Sequence, residues 1–90
     1  MAGIQEKINA GAKVIDVRTS DEFNDEHFPG ALCVPVDQVM RRLSEFGEKD
    51  KPVIVYCASG SRSAFAARLL KNAGYKDVTN AGGLSDMPGF

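Results

Sequence analysis

The run Val53-Ile54-Val55-Tyr56 constrains the fold more than any other part of the chain. It is apolar without interruption and rich in β-branched residues, the pattern of a strand buried on both faces rather than one turned half to water. Val14-Ile15-Asp16-Val17 shows the pattern more weakly, Ala31–Val34 is a small strand stopped by Pro35, and Asp77-Val78-Thr79 is the last. Helical segments separate these runs. Met1–Ala12 places Ile4 and Ile8 one turn apart and ends at Gly11, which suits a left-handed cap. Thr19-Ser20-Asp21-Glu22 fits a capping box and predicts a short helix through Phe23 to Glu26. Val36, Val39, Met40, Leu43 and Phe46 recur at helical spacing, leaving Arg41, Arg42 and Glu45 to solvent. A second amphipathic helix, Arg62–Ala73, carries Ala64, Phe65, Ala67, Leu69 and Leu70. Apolar strands alternating with helices predict an α/β fold, a mostly parallel sheet of about four or five short strands with helices on both faces.

Ninety residues without a low-complexity stretch or repeat read as a single domain, residues 1–90. Eleven basic against twelve acidic residues leave a net charge of −1, so no basic excess exists to neutralise phosphates. Nucleic acid and anionic membrane are therefore not expected as partners. Two cysteines and one histidine fall short of a closed zinc site, and no metal or organic cofactor is expected. The first ten residues lack the apolar core of a signal peptide, and no run is long enough to span a bilayer. The expectation is a cytoplasmic monomer, with the periplasm as the alternative if a leader has been removed ahead of Met1.

In open parallel sheets the binding crevice lies beyond the carboxyl ends of the strands. Asp16 and Arg18 stand at one such end and Cys57 at another. Cys57 is followed by the small residues Ala58-Ser59-Gly60-Ser61 and then by Arg62 at a helix start. The amides of residues 58–62 can curl toward one point, the helix adds the positive end of its dipole, and Arg62 adds a full charge. All three favour thiolate over thiol and mark Cys57 as a nucleophile. Gly60 allows the positive φ that such a cradle needs. Four residues separate Cys57 from Arg62, one fewer than in the loop with which cysteine-dependent phosphatases wrap a tetrahedral oxyanion. The tighter cradle suits one extra sulfur atom better than a phosphoryl group.

Three motifs in order resemble the rhodanese family, specifically its compact single-domain sulfurtransferases. They are Ile15-Asp16-Val17-Arg18 followed by Glu22-Phe23, then His27-Phe28-Pro29-Gly30-Ala31, then the loop Cys57-Ala58-Ser59-Gly60-Ser61-Arg62. The region from Gly74-Tyr75 to Ala81-Gly82-Gly83-Leu84 is similar too, although the family often has tryptophan after the double glycine and this chain has none. The resemblance implies that Cys57 carries a persulfide and that Ala58, Ser59, Gly60, Ser61 and Arg62 bind the sulfur or its anionic donor; Asp16 and Arg18 themselves read as a brace for the crevice rather than as parts of the chemistry. It implies transfer of sulfur from thiosulfate or a similar donor to cyanide or a thiol, a thioredoxin-like protein being one such acceptor. A phosphatase or arsenate-reductase-like enzyme, or a rhodanese module that only binds a partner, are the alternatives.

The remaining candidates have plainer readings. Cys33 lies in an apolar strand and reads as a core thiol, the other possibility being a resolving thiol for Cys57. His27 reads as part of a structural turn rather than of a Cys–His dyad, and Arg41-Arg42 as a solvated helix face.

Overall fold

In the computed structural model, which describes residues 3–90, the predicted apolar runs form one sheet. Its strands are β1 (Lys13–Asp16), β2 (Leu32–Cys33), β3 (Val53–Cys57) and β4 (Val78–Gly83). They pair in the order β2-β1-β3-β4 and every pairing is parallel. All five residues of β3 are buried, because β3 is central and covered on both sides. The period of two along a strand splits its side chains between two cores. Val53, Val55 and Cys57 join Ile15 and Val17 on one face, and Ile54 and Tyr56 join Val14 on the other.

Helices cover both faces. The first face packs against α3 (Ser61–Asn72) through Ala66, Ala67 and Leu70, with Val39, Phe46 and Tyr75 completing the core. The second packs against α1 (Ile4–Asn9) through Ile4 and Ile8, and against α2 (Ser20–Asp25) through Phe23. α1 is shorter than Met1–Ala12, of which Met1 and Ala2 lie outside the described residues. It gives way at Ala10, and Gly11 follows at φ +96°. The Thr19 capping box forms as read. Thr19 Oγ1 accepts from the Glu22 amide and the Glu22 carboxylate accepts from the Thr19 amide, so α2 starts one residue after Thr19.

Two helical readings are corrected. The segment from Val36 to Phe46 is not one amphipathic α-helix but two 3₁₀ stretches, Val36–Gln38 and Met40–Phe46, with non-helical backbone at Arg42 (φ −123°, ψ 32°). The Arg42 guanidinium folds back onto Gln38 Oε1 at 2.9 Å, the Cys33 carbonyl at 3.3 Å and the Glu45 carboxylate. Arg42 therefore ties this segment to β2 instead of standing free in solvent, and Met40, assigned to the apolar side, is 54% exposed. In α3 the buried stripe is Ser63, Ala66, Ala67 and Leu70 at helical spacing, while Phe65 points outward. β4 is also longer than Asp77–Thr79. It runs on to Gly83 past an irregularity that brings Cys57 level with Gly83.

Candidate functional site

Cys57 is the last residue of β3, and the chain must turn at once to enter α3 on the covered face. Gly60 makes that turn with φ +100° and serves as the helix N-cap. The turn delivers backbone donors to the sulfur. The Gly60 amide donates to Cys57 Sγ at 3.0 Å and the Ser63 amide at 3.4 Å. Ser63, fully buried in the first turn of α3, places its hydroxyl 3.3 Å from the same sulfur. Burial pushes the Cys57 thiol up, but hydrogen bonds from the Ser63 hydroxyl and from the Ser63, Gly60 and Ser59 amides outweigh it. The net direction is down, toward thiolate.

The loop is held from the far side by β4. An added Cβ on Gly83 would lie 2.2 Å from the Ala58 carbonyl oxygen, so only glycine allows the two backbones to pass. The Gly83 amide donates to Asp86 Oδ2 at 2.8 Å. Asn80 bridges to the loop. Its Oδ1 accepts from Ser63 Oγ at 2.6 Å and from the Gly82 amide at 3.0 Å, and its Nδ2 donates to the Gly60 carbonyl at 3.2 Å.

Arg62 does not stand as an unpartnered cation over the sulfur. Its guanidinium donates to both Glu22 oxygens, at 2.7 and 3.1 Å. Asp16 and Arg18 form a buried pair. Arg18 Nη2 donates to Asp16 Oδ2 at 2.7 Å and to the Glu26 carbonyl at 2.6 Å, while its guanidinium carbon lies 5.6 Å from the Tyr56 ring centroid. The hydrogen bond to Asp16 outweighs the desolvation of Arg18 and keeps it charged. Arg18 also reaches the wall of an open depression of about 320 Å³, lined by Glu26, Ala58, Leu84, Ser85 and Phe90, beside the cysteine loop.

Sequence similarity decides the family to which the chain belongs. The chain matches the rhodanese-like domain over residues 2–86. It belongs to the rhodanese family. Among its relatives is the thiosulfate sulfurtransferase PspE of Escherichia coli (strain K12), 39% identical over 74 residues that cover 81% of this chain and 71% of that protein. Another is the putative sulfur carrier protein YrkF of Bacillus subtilis (strain 168), 38% identical over 77 residues, covering 84% of this chain but 41% of the relative. A solved rhodanese from E. coli with anions superposes at a TM-score of 0.82 with 37% identity, covering 87% of this chain and 93% of that one. The rhodanese reading made from the three motifs thus stands, as do the single α/β domain and its parallel sheet.

Within this rhodanese domain the structure brings Cys57, the loop 58–62, Asp16 and Arg18 to one edge of the sheet. Cys33 is not brought to Cys57. Strand β1 lies between β2 and β3, so the backbones of Cys33 and Cys57 lie two strand spacings, about 10 Å, apart, beyond disulfide reach. Both cysteines are free, and burial pushes the Cys33 thiol up. His27 stacks on Phe23 with centroids 3.8 Å apart, and its Nδ1 lies 2.8 Å from the Phe23 carbonyl, as a turn residue would. Sequence reasoning missed Ser63, Asn80 and Glu22 as parts of the site. Ser63 had left a signal, a lone hydroxyl on the apolar stripe of α3. Among the described residues no helix is long and apolar enough to cross a membrane, and no cluster of His, Cys, Asp and Glu is arranged to hold a metal.

Proposed function

We propose that this rhodanese domain is a sulfurtransferase working through a persulfide on Cys57. The observation that carries the reading is the set of donors converging on one sulfur, two amides and a hydroxyl within 3.0–3.4 Å. The Cys57 thiolate attacks the outer sulfur of thiosulfate or a similar sulfane donor. A new S–S bond forms, the donor's own S–S bond breaks, and sulfite leaves with the electron pair. An acceptor nucleophile, cyanide or a thiol such as that of a thioredoxin-like protein, then attacks the outer sulfur and releases the Cys57 thiolate. No electrons are gained or lost overall.

In this reading Ala58, Ser59, Gly60, Ser61 and Arg62 form the rim that receives the donor, and the depression bounded by Arg18 and Ala58 is its approach. Asp16 and Arg18 act as a brace. The tight loop of four residues between Cys57 and Arg62 supports sulfur over phosphoryl chemistry. The test is intact mass after incubation with thiosulfate. A gain of one sulfur atom in the wild type, absent from Cys57→Ser, is the expected result. No gain, or a gain that survives the substitution, removes Cys57 as the carrier. Robust turnover of p-nitrophenyl phosphate would instead favour the phosphatase reading.

A further inference from the structure

Ser63 Oγ carries one proton and has more acceptors than it can serve. Around it lie Asn80 Oδ1 at 2.6 Å, the Gly60 carbonyl at 3.2 Å, the Gly82 carbonyl at 3.3 Å and Cys57 Sγ at 3.3 Å. The orientation of the Asn80 amide is fixed independently. The Gly82 N–H, 3.0 Å away, needs an acceptor, so the atom facing Ser63 is oxygen and not nitrogen. While Cys57 is a thiol, its S–H can donate to Ser63 Oγ, and the Ser63 proton goes to Asn80, its shortest contact. Once Cys57 is a thiolate, the sulfur can only accept, and the Ser63 proton serves it best by turning away from Asn80. Asn80 Oδ1 keeps the Gly82 amide in either case. It therefore sets what the hydroxyl gives up on turning.

We propose that Asn80 is a positioning residue for Cys57, acting through Ser63 by competing with the sulfur for the single hydroxyl proton. Asn80 touches neither Cys57 nor any reacting atom. The reading does not depend on the sulfur donor or on persulfide formation, because it concerns the free enzyme. The charged groups around the pair are accounted for. Arg62 on α3 is tied to Glu22, Asp16 at the end of β1 is tied to Arg18, and Asp86 accepts from Gly83. Arg68 and Lys71 of α3 line one depression with Asn80 on its exposed side.

The experiment measures the pH dependence of Cys57 alkylation by iodoacetamide, with thiolate ultraviolet absorbance alongside, in a Cys33→Ser background so that one thiol titrates. Asn80→Ala frees the hydroxyl for the sulfur and is expected to lower the apparent Cys57 pKa. Asn80→Asp is expected to raise it by about one pH unit, a carboxylate being the stronger competitor. Repeating both in Ser63→Ala separates the routes. The Asn80→Ala shift should vanish there, and the Asn80→Asp shift should shrink to the through-space effect of a charge screened by Arg68 and Lys71. An unchanged or raised pKa in Asn80→Ala overturns the proposal. So do shifts that persist undiminished without the Ser63 hydroxyl. Should Asn80→Ala not fold, as judged by circular dichroism, Asn80→Asp with and without Ser63→Ala decides the question alone.

Discussion

The Arg62 guanidinium donates to both oxygens of Glu22, joining the end of the cysteine loop to the first turn of α2 across forty residues of sequence. Glu22 also closes the capping box with Thr19, so one carboxylate caps a helix and neutralises the cation at the end of the cysteine loop. Positive potential at the loop must then come chiefly from its amides and from the dipole of α3.

That pair predicts an acid-sensitive contribution to stability. The hydrogen bond from Arg62, followed by that from the Thr19 amide, holds the Glu22 carboxyl down to about 2. Its pKa is lower folded than unfolded, so the stabilisation is fully present above about pH 5 and is lost as pH falls toward 2. Both side chains are 35% exposed, which limits the effect to about 1 kcal/mol or less. Urea titrations of wild type and Glu22→Gln should converge as pH drops through this window, since glutamine keeps the capping box but carries no charge to lose. Parallel curves would show that the ion pair contributes nothing.

Gly83→Ala should damage both stability and site. Its Cβ would sit 2.2 Å from the Ala58 carbonyl oxygen and 3.0 Å from the carbonyl carbon, backbone atoms that no rotamer change can move. A loss of about 1–3 kcal/mol is expected in denaturant unfolding, together with slower Cys57 alkylation as the loop is pushed off β4. Gly11→Ala is the control. Its φ of +96° disfavours alanine whereas the φ of −97° at Gly83 does not, and nothing lies within 4 Å of its added Cβ, so it should cost about 1–2 kcal/mol and leave Cys57 reactivity alone.

Arg18→Met should be among the most damaging single changes. Asp16 is fully buried and Arg18 nearly so, and removing the guanidinium leaves a buried carboxylate without its cation. The expected cost is about 3–5 kcal/mol by urea unfolding. Replacing both partners, Asp16→Leu with Arg18→Met, should recover much of that stability. A double variant no better than the single one would mean that the pair does more than satisfy itself.

Cys33→Ser should retain full sulfurtransferase activity. Its thiol contacts the Arg18 carbonyl at 3.8 Å, and the sheet keeps it from Cys57. Mild oxidation of the wild type should yield no bridge between the two cysteines by peptide mapping. Finding that bridge would restore Cys33 as a resolving thiol.

What was legible in the chain depended on how local its cause was. The β3 run, the Thr19–Glu22 capping box and the turn at Gly60 follow from neighbours in sequence, and each stands where it was read. The 3₁₀ segment from Val36 to Phe46 did not, because its bend depends on Arg42 reaching the Cys33 carbonyl on another element. β4 was read too short for a similar reason. Asn80, Ala81 and Gly82 have no strand signature of their own; Asn80 pairs with Val55 of β3, and the irregularity at Ala81 and Gly82, the latter at φ +94°, carries the strand on to Gly83 opposite Cys57.

The sequence by itself determined the α/β alternation, the place of Cys57 at a strand end and the short loop behind it. These rest on side-chain period, chain stiffness and residue size, which act over a few neighbours. Tertiary structure alone decided that the two thiols are kept apart by β1, that Arg62 belongs to Glu22, and that Asn80 and Cys57 both face the Ser63 hydroxyl. Hydrogen bonds and charges choose partners by distance in space. Only the assembled fold brings residues 17 and 40 positions apart within reach of one another.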